Sequence, residues 1–343
     1  MMRRNLILLF VSVMAVLFAC TKSSSSRASS GPAVQRNPSW SEEKLEAAAA
    51  YAKEIDSAAV LVLHDGQVVF SFGDTSHKYM CHSIRKPFLG ALYGIYVEKG
   101  LIDINSTLEK LKIDDIPPSL VPAEKQATIR DLLLSRSGVY HEAAGEHQTM
   151  IDARPQRGSH PPGTFFYYNN WDFNALGTIF ERTTGKGIFE AFNEDIAEAV
   201  GMEDFATTDC TYVYERTKSE HPAYFFRMST RDLARFGLLY QNYGKWDGEQ
   251  IVPEEWIRES TAIYPVGNPG GDPYGYLWRI IPEQAGFGHG FYHAGLGVHL
   301  LAILPDRKLV LVHRIDTDRD FDTKWSEIRT LMEMIVSAYR PAE

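Results

Sequence analysis

Strand-forming segments stand near both ends of the chain, and this arrangement limits the folds that are open to it. Ala58–Leu63 and Val68–Phe72 are apolar runs joined by an Asp-Gly pair at 65–66, a pattern that predicts a β-hairpin. Gly297–Leu304 and Lys308–His313 predict a second hairpin close to the other end of the chain. A sheet that contains both hairpins has to bring the two ends of the chain together.

Helices are predicted beside both hairpins and in most of the chain between them. Ser41–Ile55 and Trp325–Tyr339 have helical patterns, and residues 101–285 mix short helices with loops rich in Gly and Pro. We therefore expect an α+β fold, with an antiparallel sheet built from both chain ends, flanking helices and a large, mostly helical insertion. The expected domain at 39–343 divides into an α/β part and a mostly helical part, at 39–85 plus 286–343 and at 86–285 respectively.

The N-terminus has the features of a secretory signal. Met1–Arg4 is basic, Leu6–Phe18 is apolar but short for a membrane span, and small Ala19 precedes Cys20. This arrangement resembles the lipobox of bacterial lipoproteins, in which the cysteine is lipidated. The resemblance implies a signal peptide at 1–19 and a protein held in the cell envelope by a lipid anchor at Cys20. An ordinary signal peptide with a chance cysteine is the alternative.

The segment after that cysteine, residues 20–38, is rich in Ser, Gly, Pro and Ala and predicts a flexible tether. Thr21 is not Asp, and by resemblance to Gram-negative sorting this favours the outer membrane or the periplasmic side. The chain carries 44 acidic and 35 basic residues, a formal charge of −9, without a basic stripe. Nucleic acid is therefore not an expected partner.

The other two cysteines, Cys81 and Cys210, leave two interpretations open. An oxidising compartment permits a disulfide between them, but two separate buried thiols fit the sequence equally well. The absence of a Cys-x-x-Cys pair disfavours a zinc site or a thioredoxin-type site. No metal or organic cofactor is expected.

A Ser-x-x-Lys pair, Ser83 and Lys86, begins a predicted helix that is apolar on nearly all faces as far as Lys99. On a helix, residues three apart share a face, so the lysine can take the proton of the serine hydroxyl. Burial and the positive end of the helix favour a neutral amine. Ser41-Glu42-Glu43-Lys44 has the same spacing, but there the serine is explained as a helix cap. A cap and a lysine with a buried stem are also the plain alternatives for Ser83 and Lys86.

Two later segments add further candidate residues. The run 162–170, Pro-Gly-Thr-Phe-Phe-Tyr-Tyr-Asn-Asn, contains Tyr-x-Asn in two frames, and a phenol beside a lysine can relay protons. The run His293-Ala294-Gly295 precedes the second hairpin, where small residues allow a substrate to lie against a strand edge. A core-filling aromatic loop and a solvated histidine are the plain alternatives.

The chain contains three motifs in this order: Ser-x-x-Lys, Pro-Gly-x-x-Phe-x-Tyr-x-Asn and His-x-Gly. In this respect it resembles the serine β-lactamase-like superfamily. The likeness is to the branch of class C β-lactamases, D-aminopeptidases, type VIII esterases and nylon-oligomer hydrolases. Further stretches that carry it are Thr128–Leu133, Ser229–Gly237 and Tyr274–Trp278. The resemblance implies a β-lactamase/transpeptidase-like fold, and the family spacing selects Tyr168 and Asn170 from the two Tyr-x-Asn frames.

The resemblance also implies a role for each site residue. Ser83 corresponds to the acylated nucleophile, Lys86 and Tyr168 to the shared general base, and Asn170 to the residue that orients the lysine and the substrate amide. The backbone N–H groups of Ser83 and Leu296 would form the oxyanion hole, with His293 and Gly295 beside the substrate.

The chain departs from the family pattern at one motif. Many β-lactamases and penicillin-binding proteins have Lys-Thr-Gly where this chain has His293-Ala294-Gly295. In those proteins the permanent charge of the lysine helps to hold a substrate carboxylate, whereas histidine is mostly neutral at pH 7. We therefore expect ester hydrolysis to exceed β-lactam hydrolysis. The expected function is cleavage of a small ester, amide or peptide through an acyl-enzyme on Ser83. The alternatives are a non-catalytic envelope binding protein on the same fold, and a true class C-type β-lactamase or penicillin-binding protein.

Several aromatic residues near these motifs are expected to line the substrate cleft. They are Phe165, Phe166, Tyr167, Trp171 and Phe291.

Overall fold

The computed structural model of the protein describes residues 39–264, 271–282 and 285–340. The predicted signal peptide, the lipidation site Cys20 and the predicted tether lie outside the described residues. Within the described residues, no helix combines the length and the apolar character needed to cross a membrane.

The described residues form helices and strands with the following bounds. The helices are α1 Glu42–Glu54, α2 Arg85–Glu98, α3 Ile129–Leu133, α4 Gln148–Ala153, α5 Asn170–Thr184, α6 Ile188–Phe192, α7 Thr230–Gln241, α8 Glu254–Ser260 and α9 Trp325–Ser337. The strands are β1 Ala59–His64, β2 Gln67–Gly73, β3 Lys78–Met80, β4 Thr211–Val213, β5 Ala223–Phe225, β6 Arg227–Ser229, β7 Lys245–Trp246, β8 Glu249–Gln250, β9 Arg279–Ile280, β10 Phe291–Gly295, β11 His299–Leu304 and β12 Leu309–Arg314.

The main sheet joins the two ends of the chain, as the positions of the hairpins predicted. Its strand order among the described residues is β2-β1-β12-β11-β10-β9, and all neighbouring strands are antiparallel. Ala59 of β1 pairs with Arg314 of β12, so the first and last long strands meet in the middle of the sheet. The expected α+β fold is confirmed.

Both faces of this sheet are covered. Along β1, Val60 and Val62 point into a core shared with α1 and α9, whereas Leu61 and Leu63 point into the larger core beneath the helical part. This explains why β1 is an unbroken apolar run, since alternation disappears when both faces of a strand are buried. The larger core lies beneath the site, because α2, α5 and α7 all contribute to it.

A glycine brings α7 unusually close to the sheet. A Cβ built at Gly237 would lie 2.5 Å from Cγ1 of Val310 and 3.0 Å from Cδ1 of Leu301. A larger residue would therefore push the helix away from β11 and β12. Ser229 caps this helix by accepting a hydrogen bond from the N–H of Asp232 at 3.2 Å.

The predicted helix after Ser83 is buried on all sides from Arg85 to Tyr96, as its composition indicated. Its start differs from the prediction, because a 3₁₀ turn at His82–Ile84 precedes α2. Ser83 therefore lies in a tight turn at the entrance of the helix, and its side chain caps neither element.

The two cysteines in the described region are free thiols, so the second of the two open interpretations holds. Cys81 is fully buried and Cys210 is partly buried. Burial raises the pKa of both thiols, that of Cys210 to about 12. Neither thiol is therefore ionised at neutral pH.

Candidate active site

Ser83 occupies a turn whose backbone is held in a strained conformation. His82, the preceding residue, has a φ of +46°, a left-handed conformation that residues with side chains rarely adopt. Its ring Nε2 lies 2.8 Å from Oγ1 of Thr317, which anchors the ring at the edge of the turn. Such strained residues are concentrated at functional sites. Ser83 is partly exposed, whereas Ile84 and the next residues are buried.

A buried arginine of the main sheet supports the segment that leads into this turn. Arg314 of β12 donates hydrogen bonds to the carbonyls of Tyr79 at 2.9 Å, Met80 at 3.0 Å and Met228 at 3.1 Å. Its Nε also donates to Nδ1 of His299 at 3.1 Å. The guanidinium therefore ties the sheet to the chain directly before the serine, and all of these acceptors are neutral.

Lys86 lies one helical turn after Ser83 and is completely buried. Its Nζ is 2.8 Å from Oγ of Ser83, and the rings of Tyr168 and Phe173 lie over it, with centroids at 5.0 and 4.5 Å. Burial holds the pKa of Lys86 well below its usual value, and the charges of Arg85 and Arg279 lower it further. Both effects favour the neutral amine, which is the form that can accept the serine proton.

Tyr168 reaches the same serine from the loop before α5. Burial raises the pKa of its phenol, and the neighbouring hydroxyl of Ser83 and the charges of Arg279 and Arg85 oppose that rise. The phenol therefore stays protonated at neutral pH and can pass a proton on. Of the two predicted partners in the general base, the pKa directions favour Lys86 as the group that receives the proton.

The two Tyr-x-Asn frames have separate roles in the structure. Asn169 is the N-cap of α5, with its Oδ1 accepting from the N–H of Asp172 at 2.8 Å, and Tyr167 donates to the carbonyl of Met150 at 2.6 Å. Tyr168, from the other frame, lies beside Nζ of Lys86. The side-chain amide of Asn170 donates to the carbonyl of Gly145 at 2.5 Å, and its Oδ1 is buried without a partner in the described region. No hydrogen bond joins Asn170 to Lys86 among the described residues, and its implied role in orienting the lysine and the substrate amide stays a prediction.

His293 is fully buried on β10, and the centroid of its ring lies 6.4 Å from that of the Tyr168 ring. Its Nδ1 lies 3.0 Å from the carbonyl of Ala294, and its Nε2 has no hydrogen-bond partner among the described residues. Burial lowers the pKa of His293 well below the usual value, helped by the charges of Lys86 and Arg279. The ring is therefore neutral, and the plain alternative of a solvated histidine is wrong.

The end of β10 packs directly against the turn that carries the serine. A Cβ built at Gly295 would lie 3.0 Å from the carbonyl oxygen of Cys81 and 3.2 Å from Cβ of His82. Leu296 follows at the surface, with 50 % of its area exposed. Among the described residues, neither the N–H of Ser83 nor that of Leu296 donates to another backbone group. Both N–H groups are therefore without a backbone acceptor in this part of the structure.

Two arginines near the serine were not recognised as site residues from the sequence. Arg85 is 2 % exposed, stacks over the rings of Tyr224 and Phe225 at 4.9 and 4.6 Å, and has buried Nε and Nη2 atoms without partners in the described region. Arg279 is partly exposed, with its guanidinium carbon 5.3 Å from the centroid of the Tyr168 ring. For Arg279 the available signal was a charge directly after the apolar run Tyr274–Trp278, and for Arg85 it was the position inside the Ser-x-x-Lys motif.

The expected aromatic cleft is not built from the residues proposed for it. Phe166, Tyr167, Trp171 and Phe291 are all buried in packing contacts, and only Phe165 is partly exposed, stacked on His160 at 4.0 Å. The Tyr/Phe cluster mainly fills the core, which was the plain alternative for this loop. Among the described residues, no group of three or more His, Cys, Asp or Glu side chains could hold a metal ion.

The model of the beta-lactamase family matches residues 43–321, which is most of the chain. This chain belongs to the beta-lactamase family. One curated relative of this chain is an uncharacterised protein of Alkalihalophilus pseudofirmus, which is 24% identical to it over 219 residues. That match covers 58% of the chain and 59% of the relative, so the chain spans about three fifths of the length of this relative.

Solved structures share the fold of this beta-lactamase-family protein. One is described as a 6-aminohexanoate-dimer hydrolase from Bacillus anthracis, with a TM-score of 0.65, 23% identity, and 90% of this chain and 87% of that chain covered. A family VIII carboxylesterase has a TM-score of 0.63 and 15% identity, covering 90% and 99%. A D-alanine carboxypeptidase from Burkholderia cenocepacia has a TM-score of 0.62 and 14% identity, covering 86% and 98%. Hydrolases are thus well represented among its structural neighbours.

Proposed function

We propose that this protein is a serine hydrolase that cleaves small esters or amides through an acyl-enzyme on Ser83. The observation that carries the proposal is the 2.8 Å contact between Oγ of Ser83 and Nζ of Lys86, an amine that is fully buried and has a strongly lowered pKa. A serine hydroxyl needs such a base within hydrogen-bond distance to act as a nucleophile.

In the acylation step, Oγ of Ser83 attacks the substrate carbonyl and its proton moves to Nζ of Lys86. The carbonyl oxygen becomes an oxyanion, which the N–H groups of Ser83 and Leu296 stabilise. When the tetrahedral intermediate collapses, the bond to the leaving group breaks and the phenol of Tyr168 supplies the proton that this group needs. Lys86 returns a proton to Tyr168, so the base is restored.

In the deacylation step, a water molecule attacks the acyl carbonyl and gives one proton to the Lys86–Tyr168 pair. The ester bond to Ser83 breaks, Oγ takes that proton back, and the carboxylic acid leaves. Each N–H group of the oxyanion hole contributes a factor on the order of 10²–10³ to the rate in enzymes of this kind. The general base contributes about 10²–10⁴.

Substrate preference follows from the neutral state of His293. A buried imidazole with a strongly lowered pKa offers no positive charge at that position of β10. We therefore propose that 4-nitrophenyl esters are hydrolysed faster than a chromogenic cephalosporin. D-amino-acid amides complete the substrate panel, and a cephalosporin rate above the ester rate would contradict this assignment.

The nucleophile is tested by Ser83→Ala, with Ser41→Ala as the matched control from the second Ser-x-x-Lys pair. Ser83→Ala is expected to lose at least about 10³-fold in ester turnover and all labelling by a fluorophosphonate probe. Ser41 accepts a hydrogen bond from Arg340 at 3.1 Å, remote from the catalytic lysine, so its variant should keep both. Retention of turnover or labelling by Ser83→Ala would reject the assignment, and an unreactive wild type would favour a binding protein.

We also propose that the mature protein is a lipoprotein of the cell envelope, attached through Cys20. The support is the basic start, the short apolar run and the small residue before the cysteine. Palmitate fed to expressing Gram-negative cells should label the wild type, and Cys20→Ala should remain unlabelled. Equal labelling of the two proteins would reject the anchor.

A further inference from the structure

Gly145 is an exposed glycine whose backbone is bound by a side chain on each side. Its N–H donates to Oε2 of Glu215 at 3.1 Å, and its carbonyl accepts from Nδ2 of Asn170 at 2.5 Å. Glu215 belongs to the segment between β4 and β5, whereas Asn170 is the first residue of α5. The loop at 143–146 therefore connects a glutamate outside the proposed reaction steps to a predicted residue of the site.

The face of α5 that carries Asn170 meets the buried lysine. Residues three apart lie on one face of a helix, and Phe173 stands three positions after Asn170. The ring of Phe173 lies over Nζ of Lys86, with its centroid at 4.5 Å. Asn170 is itself only 3 % exposed. Its amide is therefore buried on the same side of α5 as the lysine.

Gly145 adjoins the same surroundings from the loop. A Cβ built at Gly145 would lie 3.4 Å from Cζ of Phe225 and 3.8 Å from Nδ2 of Asn170. The guanidinium of Arg85, the residue before Lys86, stacks over the Phe225 ring at 4.6 Å. The φ of Gly145 is +69°, so the loop turns here in a conformation that favours glycine. A shift of this loop would therefore move groups that lie beside the lysine.

The hydrogen bond to Gly145 decides which end of the Asn170 amide is free. A carbonyl oxygen only accepts, so the NH₂ end of the amide has to face Gly145. Oδ1 is the other end, and it is buried without a partner in the described part of the chain. A buried acceptor without a donor is unfavourable. We therefore expect Oδ1 to accept from a donor that appears during the reaction, on the substrate or on protonated Lys86.

Glu215 is fixed to its own segment as well as to Gly145. Its Oε2 also accepts from Nζ of Lys218 at 2.9 Å, and its backbone carbonyl accepts the N–H groups of Lys218 and Ser219 at 2.8 and 3.1 Å. Ser219 is buried and donates through Oγ to Asp115 at 2.6 Å. The carboxylate thus holds Gly145 from a turn that is tied to the interior of the protein.

We propose that Glu215 is a positioning residue for the hydrolase reaction, which acts through Gly145 to fix the amide of Asn170 with Oδ1 as its free end. The inference rests on the proposed serine hydrolase activity and adds a residue that acts on the site only through other residues. Without the carboxylate, the N–H of Gly145 loses its acceptor, and the carbonyl that orients Asn170 can turn away.

A double-mutant cycle with Glu215→Ala and Asn170→Ala tests this path, with kcat/KM for 4-nitrophenyl butyrate as the readout. Glu215→Ala should lower kcat/KM about 10- to 100-fold, because a misplacement of about 1 Å can cost up to 100-fold in rate. In the Asn170→Ala protein, the same substitution should change kcat/KM by less than about 3-fold, since the residue through which Glu215 acts is already absent. A merely structural role would lower kcat/KM by the same factor in both backgrounds.

Conservative variants separate the hydrogen bond from the charge. Glu215→Gln keeps an oxygen that can accept from Gly145, so its kcat/KM should stay within about 3-fold of the wild type. Lys218→Met removes only an exposed ion pair, and its kcat/KM should also stay within about 3-fold. Glu220→Ala is the matched control, since this exposed glutamate of the same segment pairs with Arg182 at 3.2 Å. Its kcat/KM should equal that of the wild type.

The side chain of Glu215 is 35 % exposed, so its truncation opens no cavity in the core. Thermal unfolding checks that every variant is folded at the assay temperature.

The outcomes separate the two proposals. If the wild type hydrolyses the ester but Glu215→Ala keeps its kcat/KM, or loses the same factor in both backgrounds, the positioning inference is wrong and the hydrolase proposal stands. Wild-type kcat/KM in Asn170→Ala, or a Glu215→Gln protein as slow as Glu215→Ala, would reject the inference in the same way. If the wild type neither hydrolyses the ester nor reacts with a fluorophosphonate, the hydrolase proposal fails, and the positioning role fails with it.

Discussion

The contact between Gly295 and the turn that carries Ser83 makes the mutation Gly295→Ala informative. The added Cβ would meet the carbonyl oxygen of Cys81 at 3.0 Å, Cβ of His82 at 3.2 Å and Cβ of His299 at 3.3 Å. All three distances are shorter than ordinary van der Waals contacts of about 3.5–4.0 Å. The carbonyl of Cys81 also accepts the N–H of Ile84 at 3.0 Å, so a shift of this carbonyl moves the turn.

The expected size of the effect follows from these distances. β10 and the turn must separate by a few tenths of an ångström, and overpacking of this kind costs about 1–3 kcal/mol in the free energy of unfolding. Each kcal/mol lowers Tm by roughly 2–4 °C in domains of somewhat smaller size. Because the same shift displaces the N–H of Leu296 from Ser83, kcat/KM for 4-nitrophenyl butyrate should fall by at least about 10-fold.

Thermal unfolding followed by circular dichroism, together with ester kinetics well below Tm, checks both expectations. Gly90→Ala, inside α2, is the matched control, since its Cβ would meet nothing closer than Cδ1 of Leu277 at 3.6 Å and the carbonyl oxygen of Tyr276 at 3.7 Å. Alanine in place of glycine within a helix is favourable by about 0.5–1 kcal/mol, so Tm should hold or rise. A Gly295→Ala protein with wild-type Tm and wild-type kcat/KM would show that β10 does not constrain the turn.

Two further predictions concern buried charges. Arg85→Met removes a cation that lowers the pKa of Lys86, so the acid limb of the pH profile of kcat/KM should move to higher pH; an unmoved limb would refute this coupling. Asp172 has a pKa that burial raises from 3.8 to about 8, so its stabilising contribution is complete below pH 3.8 and is lost as the pH rises through 8. In urea unfolding, Asp172→Asn should therefore gain stability relative to the wild type between pH 4 and pH 8, by up to about 5 kcal/mol, and a constant difference would contradict the raised pKa.

Local patterns in the sequence were enough to predict most of the main sheet and its flanking helices. Three of these features depend on residues that are close in the chain: the Asp-Gly turn at 65–66, the run after Pro305 and the apolar face of α9. The start of α2 was predicted less well, because the 3₁₀ turn at His82–Ile84 is held by Arg314 and by the close approach of β10. The closing helix begins with Trp325, which is 46 % exposed although it stands at helical spacing from the buried Ile328.

The sequence by itself also determined which residues could supply the chemistry, since Ser83, Lys86 and Tyr168 stand in a recognisable order. Only the tertiary structure decided what their surroundings do to them. The strong lowering of the pKa of Lys86 arises from burial and from Arg85 and Arg279, and the latter is distant in sequence. Burial and charge depend on the summed positions of many side chains, and no local pattern encodes that sum. For the same reason the complete burial of His293 and the position of Arg279 over Tyr168 became visible only in the folded chain.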